Sequence, residues 1–274
     1  MFEIDRIISN ALHEDIGLGD ITTLATVEPG TSARAELVAK EDFVLSGLDV
    51  ARRVFFTLDA AVAFEKLTED ARPVRRGEVL AWLKGDAAKL LQGERVALNL
   101  LQRMSGIATL TSRFVEAVAG TGAIVVDTRK TTPGLRVLEK YSVRMGGGRN
   151  HRTSLYDGVL IKENHIAAAG GIATAVDRAR RRAPHTLKIE IETENLQQVE
   201  EALTAGADII LLDNMNLDTL REAVLFIDGR ALTEASGGVN LETVRPIAET
   251  GVNFISVGAL THSFRAVDIS MLFQ

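Results

Sequence analysis

The chain has 274 residues, 46% of them hydrophobic and 25% charged, with a formal net charge of −6. This is ordinary for a globular protein and leaves room for one large α/β domain or a barrel with a smaller domain. Cysteine is absent, which excludes disulfides and thiolate metal sites. No apolar run reaches the ~18 residues of a membrane span, the acidic start MFEIDRIISNALHEDIG lacks the features of a signal peptide, and the acidic balance argues against nucleic acid. A cytoplasmic protein with no membrane partner is expected.

The first hundred residues read as α+β. ARAELVAKEDFVLSG, AVAFEKL and GEVLAWLKGD suggest short strands, with a helix near residues 48–58. Residues 87–119 read as mostly helical, with a break expected near Ser105-Gly106. Leu90, Ala97, Leu101, Met104 and Ala108 follow helical spacing and form one apolar stripe. Arg95, about 200° from Ala97 around the helix, points away from that stripe.

From residue 123 onward, strand and helix alternate. The apolar strands are expected at 123–129, 158–162, 187–193, 207–214, 231–238 and 252–259. Between them lie a helix led by Pro133 and stopped by glycines 146–148, then IATAVDRARRRA, NLQQVEEALTAG with Asn195 as cap, LDTLREAVLFI and NLETVRPIAETG. A βα series of this kind builds a parallel sheet covered by helices. No glycine-rich nucleotide fingerprint follows the first strand. Polar residues cluster at the strand ends: Asp127, Arg129, Lys162, Glu190, Glu192, Asp213, Ser236 and Gly258. Both features favour a barrel over a doubly wound sheet, because a barrel gathers its C-terminal strand ends at one mouth. Six units fall short of eight, so the expected barrel is incomplete.

Charge is unevenly spread. Residues 94–163 hold eleven Lys/Arg against six Asp/Glu, a window of +5 that leaves −11 for the rest. Arg129, Lys130, Arg152 and Lys162, with His151, would gather at the mouth and suit carboxylates or phosphates. Glu190, Glu192 and Asp213 lie on neighbouring strand ends. They either hold Mg²⁺ against a phosphorylated substrate or neutralise the cations, and the sequence leaves both readings open. Ser236-Gly237-Gly238 and Gly258 follow the last two strands, where barrels bind phosphate through backbone N–H groups. There is no nucleophile elbow, and the five histidines show no zinc spacing. A Schiff-base lyase built on Lys162 and a non-catalytic anion binder remain as alternatives.

The blocks EDIGLGDITT, GERVALNLLQRMSGIAT, DTRKTTPGLRVLEKYSVRMGGGRNHR, LIKENH, KIEIETE, LLDNM, EASGG and ISVGALTHS run nearly end to end. Together they resemble the quinolinate phosphoribosyltransferase family. Two departures are slight: Glu163 stands where aspartate is usual, and Ile191 where valine is. A relative acting on another planar acid is the nearest rival.

The resemblance implies an N-terminal α/β sandwich over residues 1–106, joined by 265–274, and a truncated, open βα-barrel over 107–264. It implies a homodimer with shared active sites that converts quinolinate and 5-phosphoribosyl-1-pyrophosphate (PRPP) to nicotinate mononucleotide, pyrophosphate and CO₂ with Mg²⁺. By matched position it implies that Arg129, Lys130, His151, Arg152 and Lys162 bind quinolinate, together with Arg95 from the partner subunit. Glu192 and Asp213 would serve the ribose and Mg²⁺, and Ser236, Gly237, Gly238, Gly258 and His262 the 5′-phosphate.

Overall fold

Period-two patterning in the N-terminal third folds as antiparallel strands, and the later βα series folds as a parallel sheet. The computed structural model describes residues 2–274. In chain order its first elements are α1 (Phe2–Ile16), α2 (Ile21–Thr26), β1 (Ser32–Ala39), β2 (Phe43–Val44), α3 (Leu48–Leu58), β3 (Ala63–Lys66), β4 (Pro73–Val74), β5 (Val79–Asp86) and α4 (Ala87–Ala117). They continue with β6 (Ile124–Val126), α5 (Arg136–Met145), β7 (Val159–Ile161), α6 (Glu163–Ala169), α7 (Ile172–Arg182), β8 (Ile189–Thr193), α8 (Leu196–Thr204) and β9 (Ile209–Asp213). The last are α9 (Leu217–Ile227), β10 (Leu232–Ser236), α10 (Val244–Ala248), β11 (Phe254–Ser256), α11 (Ala259–His262) and β12 (Ile269–Phe273). Among the described residues no helix is long and apolar enough to cross a membrane.

Two units share these elements. The first takes the chain up to Ser112, Thr131–Gly147 and Phe264–Gln274; the second takes Arg113–Lys130 and Gly148–Ser263. In the first unit a four-stranded antiparallel sheet runs in the order β12-β1-β5-β3. The final strand β12, which sequence patterning did not single out, pairs with β1 from Ala35↔Phe273 to Ala39↔Ile269. One apolar cluster fills the unit, with Leu37, Leu45, Phe55, Leu80, Leu90 and Leu101 fully buried.

The apolar stripe of α4 is buried as its spacing predicts, and Arg95 is exposed. The expected break at Ser105-Gly106 does not occur, because α4 runs unbroken from Ala87 to Ala117. Gly106 serves another purpose. A Cβ there would meet the Arg265 carbonyl oxygen at 2.3 Å and Ala266 Cα at 3.1 Å, so the residue admits a crossing backbone. We expect Gly106→Ala to destabilise the protein by about 1–3 kcal/mol through overpacking, outweighing the ~1 kcal/mol that alanine gains in helix propensity. Thermal unfolding measures this, and an unchanged Tm would mean that residues 265–266 yield without cost.

In the second unit six parallel strands run in the order β6-β11-β10-β9-β8-β7. A parallel bridge between Val126 and Arg149 adds the Gly148–Asn150 segment outside β6. This is the open βα-barrel architecture that the strand series predicts. Helix caps follow the expected chemistry: Asn195 accepts the Gln198 N–H at 3.0 Å, and Asn216 accepts the Thr219 N–H at 3.0 Å. Helix α6 was not anticipated, since ENHIAAA carries too few periodic positions to stand out. Helix α5 starts at Arg136 rather than Pro133, after a turn in which the Leu135 N–H bonds the Thr132 carbonyl.

The pleat sorts the side chains of this sheet. Ile189, Ile191, Ile210, Leu212 and Ala235 are buried on one face. Residues of the other parity, including Glu190, Leu211, Glu234 and Ser256, line the clefts described next.

Candidate active site

Two clefts meet inside the parallel unit. One, of about 300 Å³, is lined by Thr128, Arg129, Lys130, His151, Arg152, Lys162, Glu234 and Ser236, among others. The second, of about 500 Å³, shares His151, Arg152 and Glu234 and adds Asn150, Asp157, Gly158 and Glu190. A larger cavity of about 860 Å³ lies in the other unit, around α1, α3 and α5. Its charges are largely satisfied internally: Arg53 pairs with Asp5, and Asp70 accepts the Tyr141 hydroxyl at 2.7 Å and the Gly47 N–H at 2.8 Å. The two clefts of the parallel unit therefore hold the candidate site.

Each wall residue is set by local structure. Asp127, fully buried just past β6, accepts the Asn150 amide at 2.6 Å and the His151 N–H at 2.9 Å. This anchors the loop that carries His151 and Arg152. The Arg152 Nη1 donates to the Gly158 carbonyl at 3.1 Å. Its pKa is lowered, first by burial and then by the Arg129 charge. Two neighbouring guanidinium groups thus face one cleft. None of Arg129, Lys130 and Arg152 forms a salt bridge with a carboxylate among the described residues. The buried Nε of Arg129 has no hydrogen-bond partner among them either. A buried donor left unpaired is costly, so such a group suits an incoming acceptor.

Lys130 is held through its backbone, whose carbonyl accepts the buried Thr261 hydroxyl at 2.8 Å. Gly258 lies against it, and a methyl at Gly258 would come within 3.1 Å of both Lys130 Cδ and His262 Nε2. The exposed His262 contacts the Ser263 hydroxyl through Nδ1 at 2.7 Å. Lys162, half exposed, donates to Glu192 at 2.8 Å. Asp213, at the end of β9, accepts the Asn214 amide at 2.6 Å. Gly237 has φ +95° and packs against Asn214, so a side chain there would be strained and would collide with that amide. The Asn214 N–H also bonds the Ser236 carbonyl at 2.9 Å, tying the end of β9 to the Ser236–Gly238 turn.

The acids thus divide. Glu192 pairs with Lys162, while the two arginines form no salt bridge with a carboxylate among the described residues. Glu190 does not stand at the mouth beside Glu192. It is buried one layer below, against His151.

His151 Nε2 lies 2.8 Å from Glu190 Oε2 and 3.7 Å from Glu234 Oε2. These three donor atoms lie within 4.8 Å of one another, a buried group able to coordinate a metal ion. Glu234 is pushed up to about 7, first by burial and then by the Glu190 charge. The second oxygens of Glu190 and Glu234 are buried without a hydrogen-bond partner among the described residues. Sequence reasoning did not single out Glu234. The available signal was a charged residue in the middle of the strand ALTEAS, at the same parity as Ser236.

Among the sequence-derived residues, Arg129, Lys130, His151, Arg152, Lys162 and Ser236 line one cleft. Glu192 joins it through Lys162, and Gly258 and His262 through Lys130. Asp213, Gly237 and Gly238 cluster at the adjacent β9 and β10 ends. Arg95 lies in the other unit, exposed on α4.

Comparison with known proteins places the chain in a family. Residues 20–105 match the family model described as quinolinate phosphoribosyl transferase, N-terminal domain, and residues 107–272 match that of the C-terminal domain. The chain is 46% identical over 269 residues to a probable nicotinate-nucleotide pyrophosphorylase [carboxylating] of Bacillus subtilis (strain 168), covering 98% of this chain and 93% of that protein. It is 42% identical over 289 residues to the chloroplastic nicotinate-nucleotide pyrophosphorylase [carboxylating] of Arabidopsis thaliana, covering 98% and 82%. The crystal structure of NadC from Streptococcus pyogenes superposes with a TM-score of 0.96 at 42% identity, covering 100% of this chain and 97% of that one. The nicotinate-nucleotide pyrophosphorylase from Francisella tularensis does so with a TM-score of 0.96 at 39% identity, covering 100% and 96%. With both domain models matched and relatives above 40% identity along nearly its whole length, this chain belongs to the quinolinate phosphoribosyl transferase family.

Proposed function

We propose that this chain transfers the phosphoribosyl group of PRPP to quinolinate and releases pyrophosphate and CO₂, giving nicotinate mononucleotide for NAD biosynthesis. The observation that carries the reading is the unpaired, buried Arg129 Nε in a cleft where Lys130 and Arg152 also lack carboxylate partners. A planar dicarboxylate supplies the acceptors that these donors lack, and arginine forks match carboxylates bidentately.

The pyridine nitrogen is itself the nucleophile, so the protein's task is position and charge. Arg129, Arg152 and Lys162 bind the two ring carboxylates and offset their repulsion, His151 lines the same pocket beside them, and the exposed Arg95 of a partner subunit completes it. Lys130 faces both quinolinate and the leaving pyrophosphate. Ser236, Gly237, Gly238, Gly258 and His262 receive the 5′-phosphate. Holding the nitrogen against the ribose carbon removes several kcal/mol of barrier, about 7–11 at the extreme. Glu192 and Asp213 stabilise the positive charge that grows on the ribose as its bond to pyrophosphate breaks.

The donor set also fits Mg²⁺. Glu192 and Asp213 offer oxygens at adjacent strand ends, as a hard cation requires, with phosphate oxygens supplying the remaining ligands. Mg²⁺ would neutralise pyrophosphate charge there. Once the ring nitrogen is alkylated, the adjacent carboxylate departs as CO₂, the bond pair stays on that ring carbon as a carbanion stabilised by the neighbouring positive nitrogen, and a proton from solvent completes the C–H bond of the product.

In the same reading the enzyme is a cytoplasmic homodimer with shared sites. We take residues 1–106 with 265–274, and residues 107–264, as its two domains. The test is incubation with quinolinate and PRPP, with and without Mg²⁺. Nicotinate mononucleotide and CO₂ from carboxyl-labelled quinolinate are expected in equal amounts, and only with the metal. No labelled CO₂ would favour a different planar acid, whereas borohydride trapping of Lys162 with a carbonyl substrate would favour the lyase.

A further inference from the structure

The site's binding residues rest on a layer that the reaction itself does not use. His151 Nδ1 accepts the Arg152 backbone N–H at 2.7 Å. A ring nitrogen that accepts is unprotonated, so the ring proton sits on Nε2 and is donated to Glu190 at 2.8 Å. Both ring nitrogens are therefore engaged within the protein. Glu190 sets the ring's tautomer and angle, and the ring in turn holds the Arg152 backbone. Glu190 and Glu234 are 4% and 3% exposed, so little water competes for these contacts. Glu234 approaches the same Nε2 from the neighbouring side, at 3.7 Å. The Asp127 carboxylate fixes the other end of this short segment through the His151 N–H.

We propose that Glu190, backed by Glu234, is a positioning residue for quinolinate recognition: it fixes His151 and, through it, Arg152. The proposal rests on the quinolinate reading above and adds a residue outside the set that resemblance supplied. Glu190 touches no substrate in this arrangement. Its influence should fall on the dicarboxylate side of the site and leave the phosphoribosyl side unchanged. That asymmetry separates positioning from general support of the fold.

The test uses the full-length protein and the variants Glu190→Ala, Glu190→Gln and Glu190→Asp. Glutamine retains an acceptor at the same reach, whereas aspartate keeps the charge but falls short of His151. Alanine and aspartate should each raise KM for quinolinate about tenfold or more, the loss expected for a buried bond to a charged group. KM for PRPP should stay within about twofold, and glutamine should restore quinolinate KM to near wild type. If Glu190→Ala does not fold, Glu190→Asp decides alone. Equal changes in both KM values, or wild-type kinetics in alanine and aspartate, would overturn the proposal. So would a stoichiometric metal ion bound to wild type and lost from all three variants, because the cluster would then be a metal site.

A readout independent of activity is the nitrogen-15 spectrum of the His151 ring, assigned through His151→Asn. Wild type should show Nδ1 unprotonated and Nε2 protonated, with tautomer mixing in Glu190→Ala. A mixed tautomer in wild type would overturn the frame whatever the substrate. Failure of wild type to turn over quinolinate, with the ring tautomer intact, would instead count against the functional reading.

Discussion

Arg129→Ala is expected to raise KM for quinolinate by about 100-fold while leaving the thermal unfolding midpoint near that of wild type. The magnitude follows from the bonds lost, since hydrogen bonds between charged groups contribute about 1.5–3 kcal/mol each to binding and every 1.4 kcal/mol is tenfold in affinity. Stability should hold because, among the described residues, Arg129 makes no salt bridge and its buried Nε has no partner to lose. Removal also relieves Arg152, whose pKa is depressed first by burial and then by the Arg129 charge. Arg129→Lys keeps the charge but not the fork, and should recover only part of the affinity. Steady-state kinetics with quinolinate varied at saturating PRPP, alongside a thermal melt, check both statements. Wild-type KM for quinolinate in Arg129→Ala would remove the cation pocket from the account.

The parts of this fold and site that were legible in the sequence share a cause. Runs such as VNFISVGA and ADIILLDN carry their own signal, because parallel strands buried on both faces need continuous apolar residues. The mouth residues were legible because they end those runs, as Lys162 ends GVLIK. Glu190 was misread as a mouth acid, since alternation gives the face of a strand but not the depth along the barrel axis. Only the register, Glu190↔Ile209 and Glu192↔Leu211, places the two glutamates in different layers.

Glu234 was passed over for a related reason. A lone glutamate in a strand becomes informative only when Glu190 and His151 converge on it from elements far apart in sequence. Gly106 misled in the opposite direction. A glycine inside a helical pattern reads as a break, but here it admits the backbone at Arg265, a contact 159 positions away that no local window contains.

Mixed dimers offer the second large effect. Arg95→Ala and Lys162→Ala homodimers should each be nearly inactive. Unfolding the two together and refolding them as a mixture should return about a quarter of wild-type activity, by the symmetry of a two-fold dimer with shared sites. Half of the random dimers are then mixed. In each of these, one site joins an intact Lys162 to an intact Arg95 across the interface, while the other site carries both changes. Arg95 is suited to the experiment because it is exposed on α4, away from the apolar stripe, so alanine there should leave the helix packed. Lys162 is also half exposed, and among the described residues its carboxylate partner is Glu192. A mixture no more active than either parent would show that each subunit builds its site alone. Arg95 would then have to be reassigned, whereas the cation cleft around Arg129 and Arg152 would stand unchanged.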